Sequence, residues 1–330
     1  MFDHYVAVDW SQKTMAIARM TKKSNEAKVW EVPTNIGELK IYLKSLKGSR
    51  VLTVEESSPA QWLFTELRDS VDEIIVCDPY RNHLLNEGAK NDKIDAEKLC
   101  RLLKGGLLKP VFHNGEEMFH LRKMVSGYID VVKTGVRFKN QRKALFRAHG
   151  GTSEDSLSHP AESFVLSGLE RGIEYYLAEK KRYSSAFEDL CKKHPEVRLL
   201  MSLPGIGVIN AIKIAATVVD PERFASSGHF LSYSGLIKLE KMSGGKSYGH
   251  RTPRYSRLLK GVFQNAALTA LNDKKQPAMR ELYRYLIDEK KYPDWQAKHF
   301  IARKLAVLSL GILKSGEKFN PRRRKNALTV

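Results

Sequence analysis

The sequence predicts an α/β domain followed by a mainly helical remainder, and three observations carry that prediction. Short apolar runs alternate with helix-period stretches over the first hundred residues. Heptad-spaced apolar patterns replace them from Glu116 onward. Basic residues then gather toward the end: residues 201–330 hold 24 Lys/Arg against 9 Asp/Glu, while residues 1–200 hold 32 against 28. A chain of 330 residues suffices for two domains, or two plus a connector, at about 150 residues each.

Residues 4–9 (HYVAVD), 14–20 (TMAIARM) and 28–32 read as three strands of an antiparallel meander. Residues 36–46 (IGELKIYLKSL) carry a helix pattern, 51–55 (VLTVE) a short buried strand, 61–69 a helix and 73–77 (EIIVC) another strand. Three antiparallel strands followed by helix–strand units are the plan of a ribonuclease-H-type sheet. From Asn91 the pattern is helical. Met118, Leu121, Val125, Tyr128 and Val132 follow steps of three and four, a coiled-coil seam. Residues 150–153 (GGTS) break it, and a second seam runs through Leu166, Leu169, Ile173, Tyr176, Lys180, Tyr183, Phe187 and Leu190. Two such helices form a hairpin, which serves either as an intramolecular stalk or as a dimerisation arm; period alone does not separate the two. The expected division is therefore an α/β domain over 1–112, a helical-hairpin connector over 113–195 and a basic, mainly helical domain over 196–330, closed by a basic tail at 321–325 (PRRRK).

Hydrophobic residues make up 42% of the chain and charged residues 28%, enough apolar content for a sizeable core. The net charge of +19 points to a polyanionic partner, nucleic acid before an anionic membrane surface. Cys77, Cys100 and Cys191 are odd in number and widely spaced, which argues against a disulfide framework or a zinc finger. No signal peptide opens the chain, and no apolar run approaches the roughly 20 residues of a membrane span. A cytoplasmic protein without a membrane partner is expected.

Four carboxylates stand out. Asp9 and Glu55 each close an apolar strand, where an acid is a poor strand former and costly to bury. Hard divalent cations take carboxylate oxygens, so metal binding is one reason for such placement; solvent exposure at a strand end is the other. Asp92 and Asp95, in residues 90–96 (KNDKIDA), sit three apart and share one face if the helix has begun by Asp92. Capping of the helix N-terminus explains one of this pair better than both. Glu56 follows Glu55 directly. Strand alternation lets only one of the two face a site.

The basic region carries its own pattern. Residues 203–207 (LPGIG) precede an apolar helical run, and Gly205 and Gly207 suit a helix-hairpin-helix contact to a phosphate backbone, or an ordinary packing turn. Residues 233–236 (YSGL) and 243–247 (SGGKS) follow. Lys241, Lys246, Arg251, Arg254, Arg257 and Lys260 occupy residues 241–260 without an acid among them. A glycine-flanked serine in such a stretch fits a nucleophile offered to a phosphodiester, or equally a Gly–Ser turn beside a binding surface. The segment is no Walker A loop, because Glu240 stands where its first glycine belongs.

VAVDWS, VLTVEES and KNDKIDA, in this order and at these intervals, resemble the DEDD motif set of the IS one-ten family of insertion-sequence transposases, which includes Piv-type DNA invertases. LPGIG, the SYSGL block, the SGG segment and the basic helix after them resemble the family's C-terminal transposase domain. The resemblance implies a RuvC-like first domain whose catalytic and metal-binding acids are Asp9, Glu55, Asp92 and Asp95. It places Ser243 on the family's catalytic serine, with Ser247 as the local competitor. The implied activity is cut-and-rejoin recombination of an insertion sequence through a phosphoserine–DNA link, with Mg²⁺, or Mn²⁺ in its place, as cofactor. The implied partners are double-stranded DNA at element ends and target, a structured guide (bridge) RNA, and further copies of the chain as a dimer or tetramer. The implied setting is a bacterial or archaeal cytosol at the nucleoid. Rival readings are a RuvC-like endonuclease or resolvase that hydrolyses with water, a site-specific invertase without guide RNA, and a non-catalytic nucleic-acid-binding protein. An actin-type ATPase would need Gly- and Thr-rich phosphate loops, which the sequence lacks.

Overall fold

The structure, a computed structural model, describes residues 1–80, 91–113, 116–274 and 276–321. Residues 322–325 of the basic tail lie outside the described residues. Contacts divide the chain into two units, Met1–Phe119 and His120–Val330.

In the first unit β1 (His4–Trp10), β2 (Thr14–Thr21), β3 (Lys28–Pro33), β4 (Arg50–Glu55) and β5 (Glu73–Cys77) form one sheet in the order β3-β2-β1-β4-β5. The first three strands are antiparallel; β1, β4 and β5 run parallel, with Val8 opposite Val54 and Glu55 opposite Cys77. This mixed sheet is consistent with a ribonuclease-H-like domain. Period-two alternation divides the side chains between two cores. Val6, Val8, Leu52 and Val54 pack beneath α1 (Ile36–Ser45) and α2 (Ala60–Leu67). Tyr5, Ala7, Ala16, Ala18, Val51 and Cys77 pack beneath α3 (Asp92–Lys104) through Ala96, Leu99 and Cys100. Asn35 caps α1 by accepting from the backbone N–H groups of Gly37 and Glu38. At one margin β3 exposes Lys28, Glu31 and Pro33. At the other, the Val111 N–H donates to the Val76 carbonyl at 2.7 Å, and residues 109–111 cover β5.

The seams predict two long helices, and they form as α4 (Glu116–Ala148), which from His120 onward lies in the second unit, and α5 (Pro160–Lys193). They are antiparallel: Tyr128 meets Phe187 with ring centroids 5.4 Å apart, Arg142 meets Glu170 and His149 meets Glu162. Gly135 lies against the Tyr176 ring and Gly172 against the Phe138 ring, where a Cβ would collide with the ring. Lys180 occupies a seam position in the sequence but is exposed.

Next come α6 (Pro195–Leu200), α7 (Val208–Val218), α8 (Ser227–Tyr233), α9 (Arg257–Asn272), α10 (Ala278–Asp288) and α11 (Asp294–Ser315). Their core centres on Phe230 and Phe263, in edge-to-face contact at 5.9 Å, with Leu200, Ile301 and Leu305 buried in the same unit. No helix among the described residues is long and apolar enough to cross a membrane. The departure from the helical expectation is a hairpin of β6 (Leu239–Ser243) and β7 (Lys246–Arg251). Gly244 and Gly245 have φ of +55° and +77°, the pair of positive angles that a two-residue primed turn requires. Both strands are almost wholly exposed, so no in–out alternation marks them in the sequence.

Gly205 is a packing residue: at φ +77° its Cβ would stand 2.2 Å from the Ala266 carbonyl oxygen and 2.7 Å from the Ala270 nitrogen of α9. Gly207 is exposed, with nothing within 4 Å of the corresponding position. Gly205→Ala is therefore expected to lower stability by about 2–4 kcal/mol, combining left-handed strain with overpacking. Gly207→Ala is expected to stay within about 1 kcal/mol of wild type. Urea denaturation of both variants measures the difference; equal midpoints would remove the packing role of Gly205.

Candidate functional site

Strand parity decides which acids meet. Asp9 follows Tyr5 and Ala7 at steps of two, and Glu55 follows Val51 and Thr53, so both point to the face that α3 covers. The parallel register that sets Val8 opposite Val54 brings the two carboxylates to the carboxyl ends of adjacent strands. On α3, Asn91 is the cap, its side chain accepting from the Lys93 N–H at 3.0 Å. Asp92 and Asp95 are thus not needed as caps, and they lie in the first turn above the same strand ends.

The electrostatics show the convergence. Burial, then the charges of Asp92 and Asp95, push the Asp9 carboxyl up to about 6. Burial, then Asp9 and Asp95, raise Glu55. Among the described residues none of the four acids takes part in an ion pair. Like charges held together without a counter-ion raise one another's pKa.

Glu56 has a different task. It points to the α1/α2 face, and its Oε2 lies 3.1 Å from Nε2 of the buried His113, whose ring stacks at 5.7 Å from Phe64. Its backbone N–H donates to the Cys77 carbonyl and extends the ladder by one residue. The sequence reading missed His113 because the partners are 57 residues apart and no local spacing links them.

Among the described residues no three His, Cys, Asp or Glu side chains form a ready-made metal cage. The donor chemistry nevertheless fits a hard divalent cation: all four side chains offer oxygen, and a cation would relieve the repulsion recorded in the raised Asp9 and Glu55. Asp9, Glu55, Asp92 and Asp95 are the residues that would hold it.

In the second unit Ser243 ends β6, exposed, opposite Lys246 across the Gly244–Gly245 turn. Ser247 pairs with Met242 and so faces the other side of the ribbon. Lys241 lies over the Tyr248 ring at 6.0 Å, and Arg251 closes the ladder opposite Leu239. Arg254 is exposed beyond β7. Arg257 opens α9 behind the cap Ser256, and Lys260 lies 4.9 Å over the Tyr255 ring. That ring seats Gly235 of the YSGL segment, where a Cβ would come within 2.3 Å. The cations named from the sequence thus lie on one exposed hairpin and the helix start that follows it. Lys213, half-buried on α7, was not among them, although a lone lysine in the apolar run 208–219 is a readable signal.

Comparison with known proteins adds an independent line. Residues 6–149 match a family model for a DEDD transposase of the IS110 type, and residues 197–284 match one described as "Transposase IS116/IS110/IS902 family". A putative transposase of Sinorhizobium fredii, y4qE, is 25% identical over 261 residues, which are 73% of this chain and 64% of that protein. An uncharacterized protein of insertion element IS110 in Streptomyces coelicolor is 32% identical over 120 residues, 36% of this chain and 29% of that protein. The mini-circle putative transposase for IS117 from the same organism is 27% identical over 162 residues, 47% and 36% of the two chains. The matched stretch is less than two thirds of each relative's length.

The crowding of acids has a thermodynamic sign. A carboxyl whose folded pKa is raised binds its proton more tightly in the folded chain, so its contribution to stability is present at low pH and lost as pH rises through about 6. Asp9 is partly exposed, so the penalty above that pH is about 1–3 kcal/mol after discounting for solvent screening. Asp9→Asn is expected to stabilise the protein by that amount at pH 8 without divalent cations, and the gain should vanish near pH 4. Urea denaturation at both pH values checks it; a gain equal at both would remove the electrostatic cause.

Proposed function

We propose that this chain, which carries both domains of the IS110 (IS one-ten) family of transposases, exchanges DNA phosphodiesters to move an insertion sequence. The observation that carries the reading is the convergence of Asp9 and Glu55 with Asp92 and Asp95 on the α3 face of the sheet. A DEDD domain implies a divalent metal, here Mg²⁺ or Mn²⁺. Bound by these acids, it would neutralise charge at the scissile phosphate.

Ser243 is the proposed nucleophile. Its Oγ attacks phosphorus, an Oγ–P bond forms, and the bond from phosphorus to one deoxyribose oxygen breaks. That oxygen leaves as a hydroxyl with the proton the serine gives up. A hydroxyl of another strand reverses the step and restores a diester, so no external energy source is needed. Lys246, opposite Ser243 across the turn, is the cation proposed to offset charge on the phosphoryl oxygens, while Arg251, at the far end of the ladder opposite Leu239, belongs with the proposed backbone contact. Lys241, Arg254, Arg257 and Lys260, with the open α7 start at Gly207, form the proposed backbone contact. Double-stranded element ends and target are the substrates. A structured guide RNA and an oligomer built on the α4–α5 hairpin complete the proposal, since positive charge holds RNA and DNA alike.

One observation favours a second reading. Among the described residues the Ser243 hydroxyl makes no hydrogen bond to a base, and an unactivated serine is a weak nucleophile. In that reading the acids alone direct water at the phosphate, as in a RuvC-like nuclease. A denaturing gel with element-end DNA and Mg²⁺ separates the two. The expected result is a covalent protein–DNA adduct in wild type and Ser247→Ala, absent in Ser243→Ala. Metal-dependent cutting with no adduct in any variant would replace the serine reading with hydrolysis. Asp9→Asn, Asp92→Asn and Asp95→Asn are each expected to abolish strand transfer while nucleic-acid binding persists. Retained transfer would remove that residue from the site.

A further inference from the structure

A cleft of about 230 Å³ opens within the second unit where α4, α7 and α9 meet. One cation lines it from each helix: Lys133 from α4, Lys213 from α7 and Arg257 from α9. The side-chain amides of Asn210 and Asn265 add hydrogen-bond donors; no carboxylate is among the lining residues, although the rim cation Lys133 pairs with Asp130 at 3.5 Å just outside it. Asn210 and Lys213 are three apart on α7, and Arg257, Gly261 and Asn265 follow at steps of four on α9, so each group shares a helix face. A Cβ at Gly261 would meet nothing within 4 Å, which leaves the α9 wall low enough for close approach.

Lys213 is the residue that needs explaining. It stands half-buried in a helix whose Ala211, Ile212, Ile214, Ala215, Ala216 and Val218 are all buried. Among the described residues it has no hydrogen bond or ion pair; its ammonium lies 5.2 Å over the Tyr128 ring. Burial alone pulls its pKa below the usual lysine range. A ring face compensates a desolvated ammonium only in part, and buried charges are ordinarily paired. A concave site lined by cations from three elements focuses positive potential into its interior. The cleft is smaller than the roughly 300–1,000 Å³ of pockets for drug-sized ligands, which suits a single phosphate group better than a whole nucleotide.

We infer that this cleft is a phosphate-binding site, with Lys213 as the inner contact, Lys133 and Arg257 at the rim, and Asn210 and Asn265 donating to the remaining oxygens. The expected source is a phosphodiester of a nucleic-acid backbone, and that clause rests on the proposed nucleic-acid partner. The site is distinct from the exposed hairpin that carries Ser243, because its lining comes from α4, α7 and α9 and includes no residue of β6 or β7.

The test measures binding, without strand transfer. Fluorescence anisotropy of the full chain with a labelled DNA duplex and with a labelled single-stranded RNA is recorded across a salt series. Lys213→Gln is expected to weaken binding about 3–10-fold and to reduce the slope of log K against log salt by about 0.9 for duplex, or about 0.7 for single strand. A second arm compares melting in inorganic phosphate with melting in chloride at equal ionic strength. Phosphate is expected to stabilise wild type and to lose that effect in Lys213→Gln. A slope change with one polymer identifies it as the source; a melting effect with unchanged slopes assigns the site to a free phosphate anion. Unchanged slopes together with equal phosphate stabilisation of both proteins would overturn the site. Should Lys213→Gln fail to fold in chloride, Lys133→Gln, at an exposed position of the cleft rim outside the proposed backbone contact, carries the same measurements. A chain that shows the Lys213 effect yet forms no DNA adduct would keep this site and lose the proposed reaction.

Discussion

The close seating of α3 on the sheet is the constraint on which the first unit depends. Ala7, Ala16 and Ala18 on the strands meet Ala96 on the helix, and the Cys100 Sγ donates to the Tyr5 carbonyl at 3.2 Å. Small side chains on both sides bring the helix down to the sheet and hold its first turn over the ends of β1 and β4. Larger residues at these positions would lift the helix and carry Asp92 and Asp95 away from Asp9 and Glu55. The same burial pushes the thiols of Cys77 and Cys100 up to about 12, so both behave as small apolar fillers, not as reactive groups. Packing and electrostatics oppose one another here: the apolar contact gathers four acids that repel, and the raised Asp9 carboxyl records the cost.

The second unit reaches close contact by a different means. Gly135 and Gly172 let one aromatic ring from each partner settle onto the opposite helix, and Gly205 lets the turn before α7 touch the backbone of α9. These contacts fix the frame, while its charges stay outside it. The cations of the β6–β7 hairpin are solvated and adjustable, as suits a surface that meets an extended polyanion. Lys213 is the exception, a half-buried cation on α7 whose ammonium lies over the Tyr128 ring.

Much of this was legible in the sequence, for identifiable reasons. β1, β4 and β5 carry short apolar runs, β2 and β3 carry apolar runs interrupted by Arg19 and Glu31, and the long helices carry regular seams, so their periods gave them away. Asp92 and Asp95 were readable as a same-face pair, and the structure hands the capping role to Asn91 instead. The choice between Glu55 and Glu56 follows from parity once the covering helix of each face is known, and that knowledge is tertiary. His113 beneath Glu56 is equally a product of long-range packing. The β6–β7 hairpin escaped because nearly every residue in it is exposed, which erases the alternation that betrays a strand. Gly205 and Gly207 looked alike in sequence, yet one is pressed against α9 and the other stands open.

The margins of the sheet carry a consequence for how copies of the chain meet. An open strand edge is a template for another strand and so a route to aggregation. Here β5 is already paired by residues 109–111. The β3 margin exposes Lys28 and Glu31 and stops at Pro33, with Lys93 of α3 reaching to within 3.7 Å of Glu31. Charge and a missing amide make that margin a poor template. Association through this unit is thereby steered to helix surfaces, where side chains discriminate between partners, and away from continuous backbone pairing, which would not. If copies gather on a nucleic acid, as the proposed function has it, crowding then promotes reversible contact and not fibre growth.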